Sequence, residues 1–144
     1  MEYREMKDGW WAIKALPGEE LVAALNAFLN DRRICAGTLS GIGAAREIEV
    51  GHFDPKTQAY HKETFPGPVE IISLTGNVSR LEDGQSLLHA HVALSLKDMS
   101  VRAGHLFRAV ADPTCEIYLR AIPGAVERRL VPELGLKLWR LGGG

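Results

Sequence analysis

The sequence is poor in cysteine, with only Cys35 and Cys115 and no Cys-x-x-Cys pair. Two isolated thiols cannot form a disulfide framework, and cysteine-based zinc is excluded. Each lies in an apolar segment with strand character and reads as a buried, reduced thiol of a cytosolic protein. An excess of charge of one sign is also lacking: 17 Lys+Arg stand against 18 Asp+Glu, a formal net charge of -1. The basic residues Arg32-Arg33, Arg46, Arg128-Arg129, Lys137 and Arg140 are scattered, and neither end is a basic tail. A domain that grips duplex DNA by neutralising phosphates needs a basic face, and this composition does not provide one. No apolar run is long enough to cross a bilayer. Met1 to Asp8 is polar and charged, without the apolar centre of a signal peptide. A cytoplasmic location with no membrane partner is expected. Gly-x-Gly-x-x-Gly, a terminal Gly-Lys-Ser/Thr and a nucleophile elbow around Ser40 or Ser73 are all missing, so the common phosphate loops and acyl-transfer triads are excluded.

What is present fits one domain spanning 1–144. At 144 residues the chain can bury a core unaided, and 46% apolar with 24% charged residues is ordinary globular composition. The ordered core is expected over about 10–138, with 142–144 as a flexible tail. Trp10 to Leu16 reads as a strand ended by Pro17-Gly18. Leu21, Leu25, Phe28 and Leu29 share one helical face, so a helix is predicted from about Gly18 to Asn30, with Glu19 and Glu20 favoured in its first turn by the helix dipole. Ile34 to Ile42 is apolar and interleaved with Gly37 and Gly41, and Gly43 follows; it reads as a strand with close backbone packing rather than a phosphate loop. Further strands are predicted at Ala45–Phe53, Gln58–Thr64, Val69–Val78, Leu87–Leu96, Val101–Ala111 and Thr114–Ile122, while Val126–Leu141 is ambiguous. The fold class is α/β of the α+β type: a mainly antiparallel sheet flanked by one or two helices.

Five histidines occur, and three form a pattern: His89 and His91 as His-x-His inside a predicted strand, and His105 after Gly104 in the next. Strand residues two apart share a face with Cα atoms about 6.6 Å apart, so the first two imidazoles can converge on one ion. Leu88, Ala90, Val92 and Leu94 then face the core. If the two strands are neighbours, His105 joins the pair, and Gly104 leaves room for close approach. Three neutral imidazoles with one open position are the ligand set of a zinc-type site, and imidazole also suits iron, nickel and copper. The same spacing also serves a polar strand face hydrogen-bonded across strands. His52 and His61 have no partner motif and read as ordinary strand or surface residues. Glu70 and Glu116, early in two strands, are candidates for orienting an imidazole or acting as a general base, or for plain salt bridges.

Several pieces in order carry a family resemblance: Gly18-Glu19-Glu20-Leu21, Leu39-Ser40-Gly41-Ile42-Gly43-Ala44, Gly67-Pro68-Val69-Glu70-Ile71-Ile72-Ser73-Leu74-Thr75-Gly76-Asn77, Leu88-His89-Ala90-His91-Val92-Ala93-Leu94, Gly104-His105-Leu106 and Thr114-Cys115-Glu116-Ile117. From about Trp10 to Leu138 the chain resembles the PPC domain family, named for plants and prokaryotes. The resemblance implies an antiparallel sheet flanked by helices, assembly as a homotrimer, and a metal site near the trimer interface with ligands His89, His91 and His105. In plants the domain follows an AT-hook, and the family is often described as DNA-binding. This chain has no Arg-Gly-Arg-Pro stretch. Ala103 stands where many prokaryotic members look to have glycine, a small change.

Two functions follow as expectations. One is a stand-alone homotrimeric module that binds a divalent metal, zinc first with iron or nickel as alternatives, in a DNA-associated or regulatory role. The other is a metal-dependent enzyme or small-ligand binder using the open metal position. Fold alone does not choose between them. The charge balance predicts no tight duplex binding by the isolated domain at physiological salt. A mobility-shift titration checks this, and submicromolar, salt-sensitive binding contradicts it.

Overall fold

The computed structural model describes residues 1–142; Gly143 and Gly144, part of the expected flexible tail, lie outside them. Among the described residues there are nine strands in one sheet and a single α-helix. The fold is thus mostly β, with one helix where one or two were expected. The strands are β1 (Glu2–Glu5), β2 (Trp10–Ala15), β3 (Gly37–Asp54), β4 (Ala59–Phe65), β5 (Val69–Arg80), β6 (Ser86–Ser95), β7 (Val101–Ala121), β8 (Glu127–Val131) and β9 (Leu136–Arg140). The helix α1 runs Leu21–Asp31. It starts later than Gly18 because Glu20 is its N-cap: the carboxylate accepts N–H groups from Val22 (3.1 Å) and Ala23 (2.8 Å). It also accepts from Ala109 N–H (3.2 Å), which ties the helix start to β7. Glu19 lies outside the helix and accepts from Leu16 N–H. Leu21, Leu25, Phe28 and Leu29 are the buried face, as their spacing requires.

Two pairs of expected strands are fused. Ile34–Ile42 and Ala45–Phe53 become the single β3, which begins at Gly37. Its glycines admit the neighbouring backbone: a Cβ on Gly41 would stand 2.7 Å from both the Glu116 carbonyl oxygen and Ile117 Cγ1. Val101–Ala111 and Thr114–Ile122 become the single β7. Asp112-Pro113 does not end the strand, because the register with β3 jumps there: Gly43 faces Cys115 and Ala45 faces Ala111. Residues 112–114 thus form a bulge, where a proline without an N–H breaks no ladder bond. Cys35 lies before β3 in a lone bridge to Ala125, half-buried rather than buried in a strand, whereas Cys115 is buried in β7. Burial pushes the Cys115 thiol up to about 11, with Glu116 adding to the effect, so it is inert at neutral pH. The polar start of the chain is not an arm, since Glu2–Glu5 pairs antiparallel with β2. The ambiguous segment Val126–Leu141 holds the β8–β9 hairpin.

The length of β3 and β7 sets the sheet's shape. One half of β7 pairs with β2 and β3, and the other half with β6 and β3. Because β5 pairs with both β3 and β6, the order β3–β5–β6–β7–β3 closes on itself. A core of apolar residues, among them Leu39, Leu74, Leu88, Val92, Leu94 and Leu119, fills the inside with α1 packed on β6 and β7. Side chains alternate between faces, so the residues between these point outward.

Candidate metal centre

Adjoining strands carry one lateral row on that outward face. Arg4 stands opposite Ala12, Ala12 opposite Tyr118, Tyr118 opposite Ser40, Ser40 opposite Thr75, Thr75 opposite His91, and His91 opposite His105. A second row runs Trp10, Arg120, Thr38, Asn77 and His89. The alternation of β6 puts Leu88, Ala90, Val92 and Leu94 in the core and leaves His89 and His91 together outside. The β6–β7 register then sets His105 beside them. One nitrogen of each imidazole lies within 4.8 Å of the others. Ring centroids are 5.2 Å (His89–His91), 5.1 Å (His89–His105) and 5.5 Å (His91–His105) apart.

Nitrogens bound tetrahedrally to zinc at about 2.1 Å would be about 3.4 Å apart, closer than the 4.8 Å limit within which these three lie. His105 tests the fit most sharply. Its Nδ1 is buried and has no hydrogen-bond partner among the described residues. A buried imidazole nitrogen without a partner is costly, about 1–3 kcal/mol, and a metal ion would satisfy it. The residues present therefore fit a divalent metal held by imidazole.

The surroundings favour the neutral form of His105 and His89. His105 is walled by Tyr60 (centroids 5.4 Å apart) and Phe107 (4.7 Å). Gly51 makes the space, since a Cβ there would stand 2.7 Å from the Phe107 ring. Gly104 lets the backbones approach, since a Cβ there would stand 2.7 Å from the Gly51 carbonyl oxygen. Burial, then the neighbouring His89 and His91, and then Lys62 and Arg128, draw His105 down from 6.5 to about 4. Burial, with Arg128 and His91 adding, lowers His89 in the same direction. Metal binding requires the neutral form, which at His105 is thus available well below neutral pH.

The other residues singled out from sequence lie elsewhere. Glu70 faces Ser95 and Ala44, and Glu116 faces Lys14 and Ile42. Neither belongs to the imidazole cluster, which contains only the three histidines. His52 and His61 are exposed cross-strand partners on β3 and β4. The group that does touch a clustered imidazole is Arg128 of β8, whose Nη2 lies 2.9 Å from His89 Nδ1. No sequence signal pointed to it, because it sits in the segment whose structure was ambiguous.

A closed, mainly antiparallel sheet with one helix and an outward three-imidazole cluster defines a class of small β-rich domain with a histidine cluster that could hold a metal. The chain belongs to the Plants and Prokaryotes Conserved (PCC) domain family, whose model matches residues 8–123. It is similar to a candidate DNA-binding protein from Bacteroides thetaiotaomicron at 34% identity, TM-score 0.91, covering 96% of each chain. It is similar to a metal-containing protein from Archaeoglobus fulgidus at 35% identity, TM-score 0.85, covering 97% of each. A plant- and prokaryote-conserved (PPC) protein from Pyrococcus horikoshii matches at 28% identity and TM-score 0.85, over 99% of this chain and 96% of that one. No curated protein matches the chain.

The lowered imidazoles make stability depend on pH. As pH falls below 6.5, the unfolded chain takes up a proton at His105 that the folded, metal-free chain refuses until about 4. This contribution is complete above 6.5 and is lost as pH falls through that window. The thermal midpoint of metal-free protein is expected to fall from pH 6.5 to 4, with a shallower fall in His105→Gln. Equal slopes in the two proteins contradict it.

Proposed function

We propose that this chain is a homotrimeric module that binds a divalent metal through His89, His91 and His105 and serves a DNA-associated or regulatory role. The observation that carries the metal reading is the convergence of three imidazole nitrogens within 4.8 Å, together with a buried, unpaired Nδ1 on His105. A relative at 35% identity is described as metal-containing. Zinc is the first choice of ion, because it accepts three imidazoles in a tetrahedral site with one position left over; iron and nickel accept imidazole too.

Assembly is supported by surface arithmetic. A monomer of 15.8 kDa is expected to expose about 7,300 Å², whereas this chain alone exposes 8556 Å². The excess fits a subunit with uncovered interface. The outward face beside the imidazole row bears Ile42 (61% exposed), Ile72 (48%) and Tyr118 (56%) around a groove of about 790 Å³. An apolar stretch of that kind suits contact with a second copy. Unpaired thiols at Cys35 and Cys115 fit a reducing, cytoplasmic setting. Among the described residues no helix is long and apolar enough to cross a membrane.

The DNA-associated role draws on the relative at 34% identity. With a formal charge of -1, that role is assigned to recruitment by a partner rather than to a phosphate grip by this domain. A second reading, as a metal-dependent enzyme or small-ligand binder, is favoured by one observation: His91 is exposed, so the remaining metal position would open to solvent. No carboxylate joins the cluster to serve as base, which ranks this reading second.

Native mass spectrometry of zinc-loaded wild type and His91→Ala tests both parts together. Three-chain particles with one metal per chain are expected for wild type, and metal-poor particles for the variant. Equal metal content in the two contradicts the ligand assignment, and a single-chain wild type contradicts the trimer.

A further inference from the structure

Arg128 lies beyond the stretch 8–123 matched by the family model, yet it is the polar residue that reaches the imidazole cluster. It is only 7% exposed. Its Nε donates to Ser79 Oγ (2.7 Å) and its Nη1 to the Lys137 carbonyl (2.7 Å). Its Nη2 donates to Asn77 Oδ1 (3.0 Å) and to His89 Nδ1 (2.9 Å). Every one of these partners is neutral. The neighbouring Arg80 and Arg129 pair with Glu127 and Glu82, but among the described residues no carboxylate pairs with Arg128. A buried cation served only by neutral acceptors is an expensive arrangement.

Its geometry also fixes the state of His89. A guanidinium has donors and no acceptor, and it does not deprotonate. His89 Nδ1 must therefore offer its lone pair to Arg128, which leaves the ring proton on Nε2. A metal that takes Nδ1 occupies the place of the guanidinium. A metal that takes Nε2 moves the proton to Nδ1, where it meets a donor instead of the acceptor that a ligating histidine needs. Turning the ring over breaks the hydrogen bond as well. On each route the metal and the Arg128–His89 contact exclude one another.

That contact matters to more than His89. The β8–β9 hairpin pairs with the rest of the sheet at a single position, Arg80 with Glu127. It is further held by the exposed ion pairs Arg80–Glu127 (3.0 Å) and Arg129–Glu82 (3.4 Å), by Gln58 Nε2, which donates to the Glu133 carbonyl at its turn, and by Arg128 itself. Exposed contacts contribute little, which leaves Arg128 as the buried polar anchor of the hairpin.

We propose that Arg128 is a metal-displaced latch: its guanidinium and the metal compete for His89, so loading the metal loosens the C-terminal hairpin from the histidine cluster. By reciprocity, removing the latch strengthens metal binding. The proposal rests on the metal reading above, and its test separates the two. Amide hydrogen exchange is followed on the full chain with and without zinc, and zinc affinity is measured by chelator competition for wild type and Arg128→Gln. Glutamine removes the charge and can accept a proton from His89 Nδ1. Zinc is expected to speed exchange in 127–140 about tenfold, and Arg128→Gln to bind zinc about tenfold tighter, the size of one hydrogen bond to a charged group. Hairpin exchange that is unchanged or slower with zinc overturns the latch, as does a folded Arg128→Gln that binds zinc no tighter. If that variant does not fold, the wild-type exchange decides alone. Zinc uptake with an unmoved hairpin removes only the latch, and no zinc uptake by wild type removes both proposals.

Discussion

The site depends on the register between β6 and β7, which sets His91 opposite His105. That register exists because β7 is long enough to change partners along its length, leaving β2 at one end and taking up β6 at the other. A slip of one residue would turn His105 inward and put Leu106 or Gly104 in its place. The slip is opposed from the other side of the sheet, where Leu106 and the alternate residues of β6 fill the core. Apolar burial therefore fixes the position of polar groups on the opposite face. The clustering of the three imidazoles is a consequence of where the leucines and valines must go.

Much of this was legible in the residues. The alternation from Leu88 to Leu94 told which side chains face inward, so His89 and His91 had to share the outer face. That His105 joins them hung on the next strand pairing alongside, a condition the spacing left open and the β6–β7 register meets. The helix was readable from Leu21, Leu25, Phe28 and Leu29, though not its start, because a glutamate N-cap held jointly by the helix and Ala109 is a tertiary feature. The strand fusions were not legible. Asp112-Pro113 is ordinary turn chemistry, and only the partner strand reveals that it is a bulge. Gly41 and Gly43 spoke of close packing but not of one continuous strand.

Arg128 was hidden for a different reason. Sequence patterns report periodicity and local chemistry, and Val126–Leu141 is short, interrupted by Pro132 and Gly135, and mixes polar with apolar residues on both faces. Its contacts span 39 to 51 residues of chain, to His89, Ser79 and Asn77. The carboxylates that sequence reasoning offered instead, Glu70 and Glu116, share β5 and β7 with the site but stand at other positions on them. The centre is thus surrounded by cations and aromatic rings, with burial as the leading cause that keeps His89 and His105 uncharged. Neutral imidazoles next to a fixed positive charge reject protons, while a divalent ion that accepts three imidazole lone pairs at once can still compete.

X-ray absorption at the zinc edge tests most directly whether these rings share one ion. Three imidazole nitrogens at about 2.0–2.1 Å plus one exchangeable oxygen ligand are expected. A zinc shell containing one imidazole or none would contradict this.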